Sequence, residues 1–73
     1  MMDRERALHL LLGRYKYEEA MRLFGEYCLL LEEDWNDFIA RHSPAKLRQI
    51  HKQLGTVGLW PPELTMPAQG TGI

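Results

Sequence analysis

From Tyr17 to Ile39, apolar residues return at every third or fourth position. Tyr17, Ala20, Phe24, Tyr27, Leu31, Trp35 and Phe38 form the stripe, and Met21, Cys28 and Ile39 widen it. Glu18, Glu19, Arg22, Glu26, Glu32, Glu33 and Asp37 fall off it. That spacing predicts one amphipathic helix of about six turns, ending near Arg41–His42. Its apolar side is broad and rich in rings, more than one short neighbour can cover.

The flanking segments read as shorter helices. Residues 3–12 place Ala7, Leu8, Leu11 and Leu12 on one side with Leu10 beside them, and Asp3 suits the N-cap or first turn. Gly13 stands where a C′ glycine often ends a helix, leaving Arg14, Tyr15 and Lys16 as a tight connection. The competing reading is one helix from 3 to 41, in which Gly13 costs about 1 kcal/mol. Further on, Ser43–Pro44 is a start signal, with Ser as cap and Pro at the first helical position. Ala45, Leu47, Ile50, His51 and Leu54 then share a side, and Gly55 supplies the stop. A helix of about eleven residues does not persist alone in water, so it must dock on the long one.

Beyond Gly55 the composition changes, and Pro61–Pro62 excludes helix in favour of extended chain. Leu59-Trp60-Pro61-Pro62 is expected to fold back on the helices. The fold class expected is therefore all-α: a helical hairpin with a long central helix, a short third helix and an extended Pro/Gly-rich tail. Residues 1–66 form one domain in this reading, and 67–73 a flexible tail.

Length adds a constraint. A chain of 73 residues buries only about 60% of the surface its unfolded form exposes. Small folds compensate with disulfides, a metal or oligomerisation. Cys28 is the sole cysteine, and His9, His42 and His51 are scattered, so neither a disulfide nor a zinc site is expected. That leaves association, and a homodimer is the expectation. A net charge of −1 argues against a general polyanion binder. No secretory signal or membrane span is visible, which makes a cytoplasmic protein with reduced Cys28 the default.

The candidate chemistry is thin. Glu32, Glu33, Asp34 and Asp37 could hold a hard cation, but on one helix they diverge and read better as a solvated acidic side. Arg41, Lys46, Arg48 and Lys52 could open a helix-turn-helix, yet Trp60-Pro61-Pro62 stands where the recognition helix would run. Cys28 sits on the apolar stripe as a small hydrophobe, the histidines have no identifiable acid–base partner, and Ser43 is explained as a cap. No enzyme activity and no cofactor are expected.

The rings carry the functional reading. Phe24, Tyr27 and Phe38 suit a core, whereas Tyr15, Tyr17, Trp35 and Trp60 exceed what three short helices can cover. Tyr and Trp dominate protein-binding hot spots. The expected partner-binding residues are Tyr15, Tyr17, Trp35, Phe38 and Trp60, with Arg41 and Arg48 orienting the encounter with a larger protein. A small nucleic-acid-binding regulator using residues 41–52 is the alternative.

Two resemblances bear on this. Gly13-Arg-Tyr-Lys-Tyr-Glu-Glu-Ala-Met-Arg-Leu-Phe24 looks like the middle of a tetratricopeptide repeat. Tyr27 replaces the small residue that repeat wants, and no second copy follows, so the likeness is one of hairpin geometry. Leu11-Leu-Gly-Arg-Tyr-Lys-Tyr-Glu-Glu-Ala20 and Ser43-Pro-Ala-Lys-Leu-Arg-Gln-Ile-His-Lys-Gln-Leu-Gly55 are similar to the small early proteins of transposable Pseudomonas phages. That group includes a quorum-sensing anti-activator that binds a LuxR-type regulator and inhibits the type IV pilus assembly ATPase. The resemblance implies a dimeric helical protein that disables host proteins by occupying their surfaces.

Overall fold

The computed structural model of the protein describes residues 3–64, and these are all-α, with no strand. Four helices follow in order: α1 (Arg4–Arg14), α2 (Tyr17–Glu32), α3 (Trp35–Ala40) and α4 (Pro44–Thr56). The expected tail from residue 67 lies outside the described residues.

Helix α1 starts where Asp3 accepts a hydrogen bond from the Arg6 N–H at 2.8 Å, the N-cap that satisfies an orphan donor. It does not stop at Gly13. Its last residue is Arg14, and the chain breaks at Tyr15, whose backbone is extended and whose hydroxyl donates to the Gln53 carbonyl at 3.1 Å. Tyr15 is thereby tied to α4 at the point where α1 ends, and Gly13 needs no left-handed conformation. Arg4 pairs with Glu32, which brings the start of α1 to the end of α2.

The long helix expected from Tyr17 to Ile39 is broken in two at Glu33–Asp34. The core side explains the break. Ala20, Leu23, Tyr27 and Leu30 are buried, and the next position on that line is Asp34. An unbroken helix would drive the Asp34 carboxylate into the core, where an unpaired charge is costly. The break leaves Asp34 exposed, while Phe38, eighteen residues beyond Ala20 on the same line, still points inward at 0% exposure. The buried line also differs from the expected stripe: Leu23 and Leu30 are core, while Tyr17 and Leu31 are exposed at 69% and 43%.

Ser43 caps α4 by accepting from the Lys46 N–H at 3.2 Å, with Pro44 in the first turn. Leu47, Ile50 and Leu54 are buried, joined in one core with Ala7, Leu11, Phe38 and Leu59. Helix α4 runs through Gly55, and the stop comes at Gly58, with φ of +74°. There the Leu59 N–H donates to the Leu54 carbonyl at 2.8 Å and the Gly58 N–H to the Gly55 carbonyl at 3.0 Å, a Schellman motif. The motif turns Leu59 into the core at 4% exposure. Gly58→Ala should therefore lose about 1–2 kcal/mol to a left-handed side-chain-bearing residue. Gly55→Ala, with open space around its new Cβ, should gain up to about 1 kcal/mol from helix propensity. Urea titration of the two variants checks the opposite signs.

A polar cluster joins α2 to α4. Glu19 on α2 accepts from Arg22 and, at 2.7 Å, from the Gln53 amide of α4. The Arg22 hydrogen bond holds the Glu19 carboxyl below its ordinary 4.5, against partial desolvation and with help from Gln53. A depressed carboxyl stabilises the fold above its unfolded value, and the contribution is lost as pH falls through the folded value. Acid titration should show Glu19→Gln less stable near neutrality and with a shallower loss of stability below about pH 4.5.

Candidate protein-binding surface

The expected binding residues divide into three groups. Trp35 and Trp60 meet edge to face with centroids 5.5 Å apart, and Trp35 stacks on Phe38 at 5.7 Å. The Trp60 indole N–H donates to the Leu64 carbonyl at 3.0 Å, and its ring meets His51 at 4.8 Å. Both tryptophans are half-buried against the core, so they offer one side to solvent and cannot project into a partner as free pegs. Phe38 requires a correction. It is wholly buried and belongs to the core, since only a folded α3 places it and no surface of it is left to touch another protein.

Tyr15 is half-buried, and its hydroxyl is used in the bond to Gln53. Arg41 lies 3.2 Å from Glu33 across the α2–α3 break. Arg48 is exposed on α4. Among the described residues Tyr17 is the most exposed of the large apolar side chains.

His42, which had no visible partner in the sequence, has two. Its Nδ1 lies 2.9 Å from the Phe38 carbonyl, its Nε2 lies 3.1 Å from Glu26, and its ring sits 4.6 Å from Phe38. A carbonyl only accepts, so Nδ1 donates; the Glu26 contact is an ion pair when the ring is protonated at both nitrogens. The side chain is 8% exposed, and it ties the end of α3 to α2. The role is architectural.

Two features went unrecognised in the sequence. The first is a second apolar line on α2, Tyr17, Met21, Phe24, Cys28 and Leu31, turned about 100° from the buried one. Tyr17, Met21 and Leu31 on it are exposed, Phe24 and Cys28 half-buried. The second is a shallow cleft of about 260 Å³ lined by Tyr27, Leu31, Leu59, Trp60, Pro61 and Pro62, together with Gly58 and the charged Glu63. That volume is below the range of about 300–1,000 Å³ usual for small-molecule sites, and it suits one or two inserted side chains. Leu31 belongs to both, so the line along α2 runs into the cleft. The alternation of exposed and buried positions could have been suspected from α2 being apolar on two sides.

Among the described residues, no group of three or more His, Cys, Asp or Glu is placed to hold a metal ion. No helix among them is long and apolar enough to cross a membrane. No known protein family, curated protein or solved structure matches the chain.

Proposed function

We propose that the chain is a small non-enzymatic protein that binds a larger host protein and inhibits it by covering a surface. The observation that carries this is the apolar face of α2: Tyr17, Met21 and Leu31 remain exposed above a core already closed by eleven other residues. Exposed apolar residues that continue into a cleft mark interaction sites on small soluble domains. The resemblance of Leu11–Ala20 and Ser43–Gly55 to early proteins of transposable Pseudomonas phages implies an inhibitor, with a LuxR-type transcriptional activator or a pilus assembly ATPase as the class of target. Binding would take place in the cytoplasm, where such targets work.

The mechanism is occupancy. Leu31, Trp60 and the two prolines form an apolar seat beside Glu63, Tyr17 adds a distant anchor on the same helix, and the surrounding charges exclude wrong partners. The nucleic-acid reading is weaker, because Glu33 engages Arg41 and the chain after α4 turns through Gly58 into Pro61–Pro62. Co-expression with a LuxR-type activator and its reporter, and separately in a cell that twitches on type IV pili, tests the proposal. Wild type should depress one or both readouts, and a Tyr17→Asp/Leu31→Asp variant that stays folded should depress neither. Equal inhibition by the variant would remove this surface from the account.

A further inference from the structure

The second apolar line of α2 has the spacing of a helix-docking seam. Tyr17, Met21, Phe24, Cys28 and Leu31 follow steps of four, three, four and three, the pattern by which one helix packs lengthwise on another. Helix α2 has 16 residues, about 24 Å of axis, enough to seat four turns of a partner. One residue beyond each of Tyr17, Phe24 and Leu31 stand Glu18, Gly25 and Glu32, all exposed. That flank holds two acids, a glycine and no base of its own helix. The opposite flank, Ala20 and Tyr27, is buried in the core.

Gly25 supplies an independent observation. A Cβ built on it meets nothing within 4 Å, and its φ is an ordinary helical one. The protomer therefore has no use for a glycine in the middle of α2, where it costs about 1 kcal/mol relative to alanine. A glycine on an exposed helix face lets another backbone approach closely.

We infer that this seam receives an amphipathic helix of another protein whose flanks are basic. The inference rests on reading this face as the protein-binding surface and specifies its occupant. Charge decides against the expected second copy. In an antiparallel self-pairing through this seam the outer flanks face each other, setting Glu18 against Glu32 of the other chain, twice. In a parallel self-pairing they would face the buried flank, with no base to meet them. A partner helix with Lys or Arg at those positions pairs with both acids. The Arg4–Glu32 ion pair does not oppose this, because both side chains are about half exposed, at 51% and 55%, and such pairs exchange readily.

The test uses the full chain and two labelled 18-residue peptides with leucine at the seam positions, one with Lys/Arg flanks and one with Glu flanks. Fluorescence anisotropy should show the basic peptide bound at least about 10-fold more tightly at low salt, the gap narrowing as salt rises. Glu18→Lys/Glu32→Lys should reverse the preference, and Gly25→Leu should weaken the basic peptide at least about 10-fold without lowering Tm. Equal binding of both peptides, binding of neither, or indifference to the charge reversal would overturn the inference. So would light scattering that shows a dimer which Leu31→Asp converts to a monomer. Failure of the wider reading is distinguishable: Leu31→Asp would then still inhibit the host target, whereas loss of its inhibition without peptide discrimination sinks the helical occupant alone.

Discussion

Phe38→Ala should remove about half of the stability of the fold. Phe38 is the largest wholly buried side chain, and α3, at six residues, cannot persist without the contacts that hold it. Truncating a buried phenylalanine costs about 3–5 kcal/mol from lost burial and the cavity left behind. A chain of 73 residues has a total stability of roughly 4–11 kcal/mol at typical values per residue. The variant should also lose the stack under Trp35, so the Trp35–Trp60 pair loosens with it. Differential scanning calorimetry should place its Tm at least about 12 °C below wild type. A drop of only a few degrees would show that α3 is not anchored through this ring.

Where the His42 ring carries both protons, His42→Ala should be the next most damaging change, costing about 2–3 kcal/mol. The substitution leaves the partly buried Glu26 carboxylate without its partner and removes the ring packed on Phe38. A buried acceptor deprived of its donor costs about 1–3 kcal/mol by itself. His42→Gln, which can still donate to Glu26, should lose less than the alanine variant. Removing the acceptor as well, in Glu26→Leu/His42→Leu, should recover part of the loss, since no charge is then stranded. Denaturant titration of the three variants gives the order, and equal losses for alanine and glutamine would show packing alone to be at work.

How much of this was legible in the residues differs from element to element. The third expected helix read cleanly because Ser43, Pro44, Leu47, Ile50 and Leu54 all point to one answer, and α4 has that cap and that buried side. Helix α2 was harder, because it carries two apolar lines about 100° apart. Periodicity identified the helix and blended the lines, so Leu23 and Leu30 were missed as core and Leu31 was not seen as exposed. The break at Glu33–Asp34 depends on which line faces the core, a tertiary fact. Glycine position misled twice: Gly13 and Gly55 lie inside helices, and among the described glycines only Gly58 has the left-handed backbone. The excess of apolar residues on which the proposed binding surface rests was legible in kind. Its place was not, since the cleft exists only once Leu59–Pro62 folds against Tyr27 and Leu31.

The central claim is that the exposed line of α2 and the adjoining cleft bind a larger protein. Isothermal titration calorimetry of the host target against wild type and against Tyr17→Asp/Leu31→Asp tests it most directly, with circular dichroism confirming the fold of both. Affinity lower by at least about 100-fold, or about 2.7 kcal/mol, in a variant of unchanged helicity is the predicted result. Unchanged affinity in that folded variant would contradict the account.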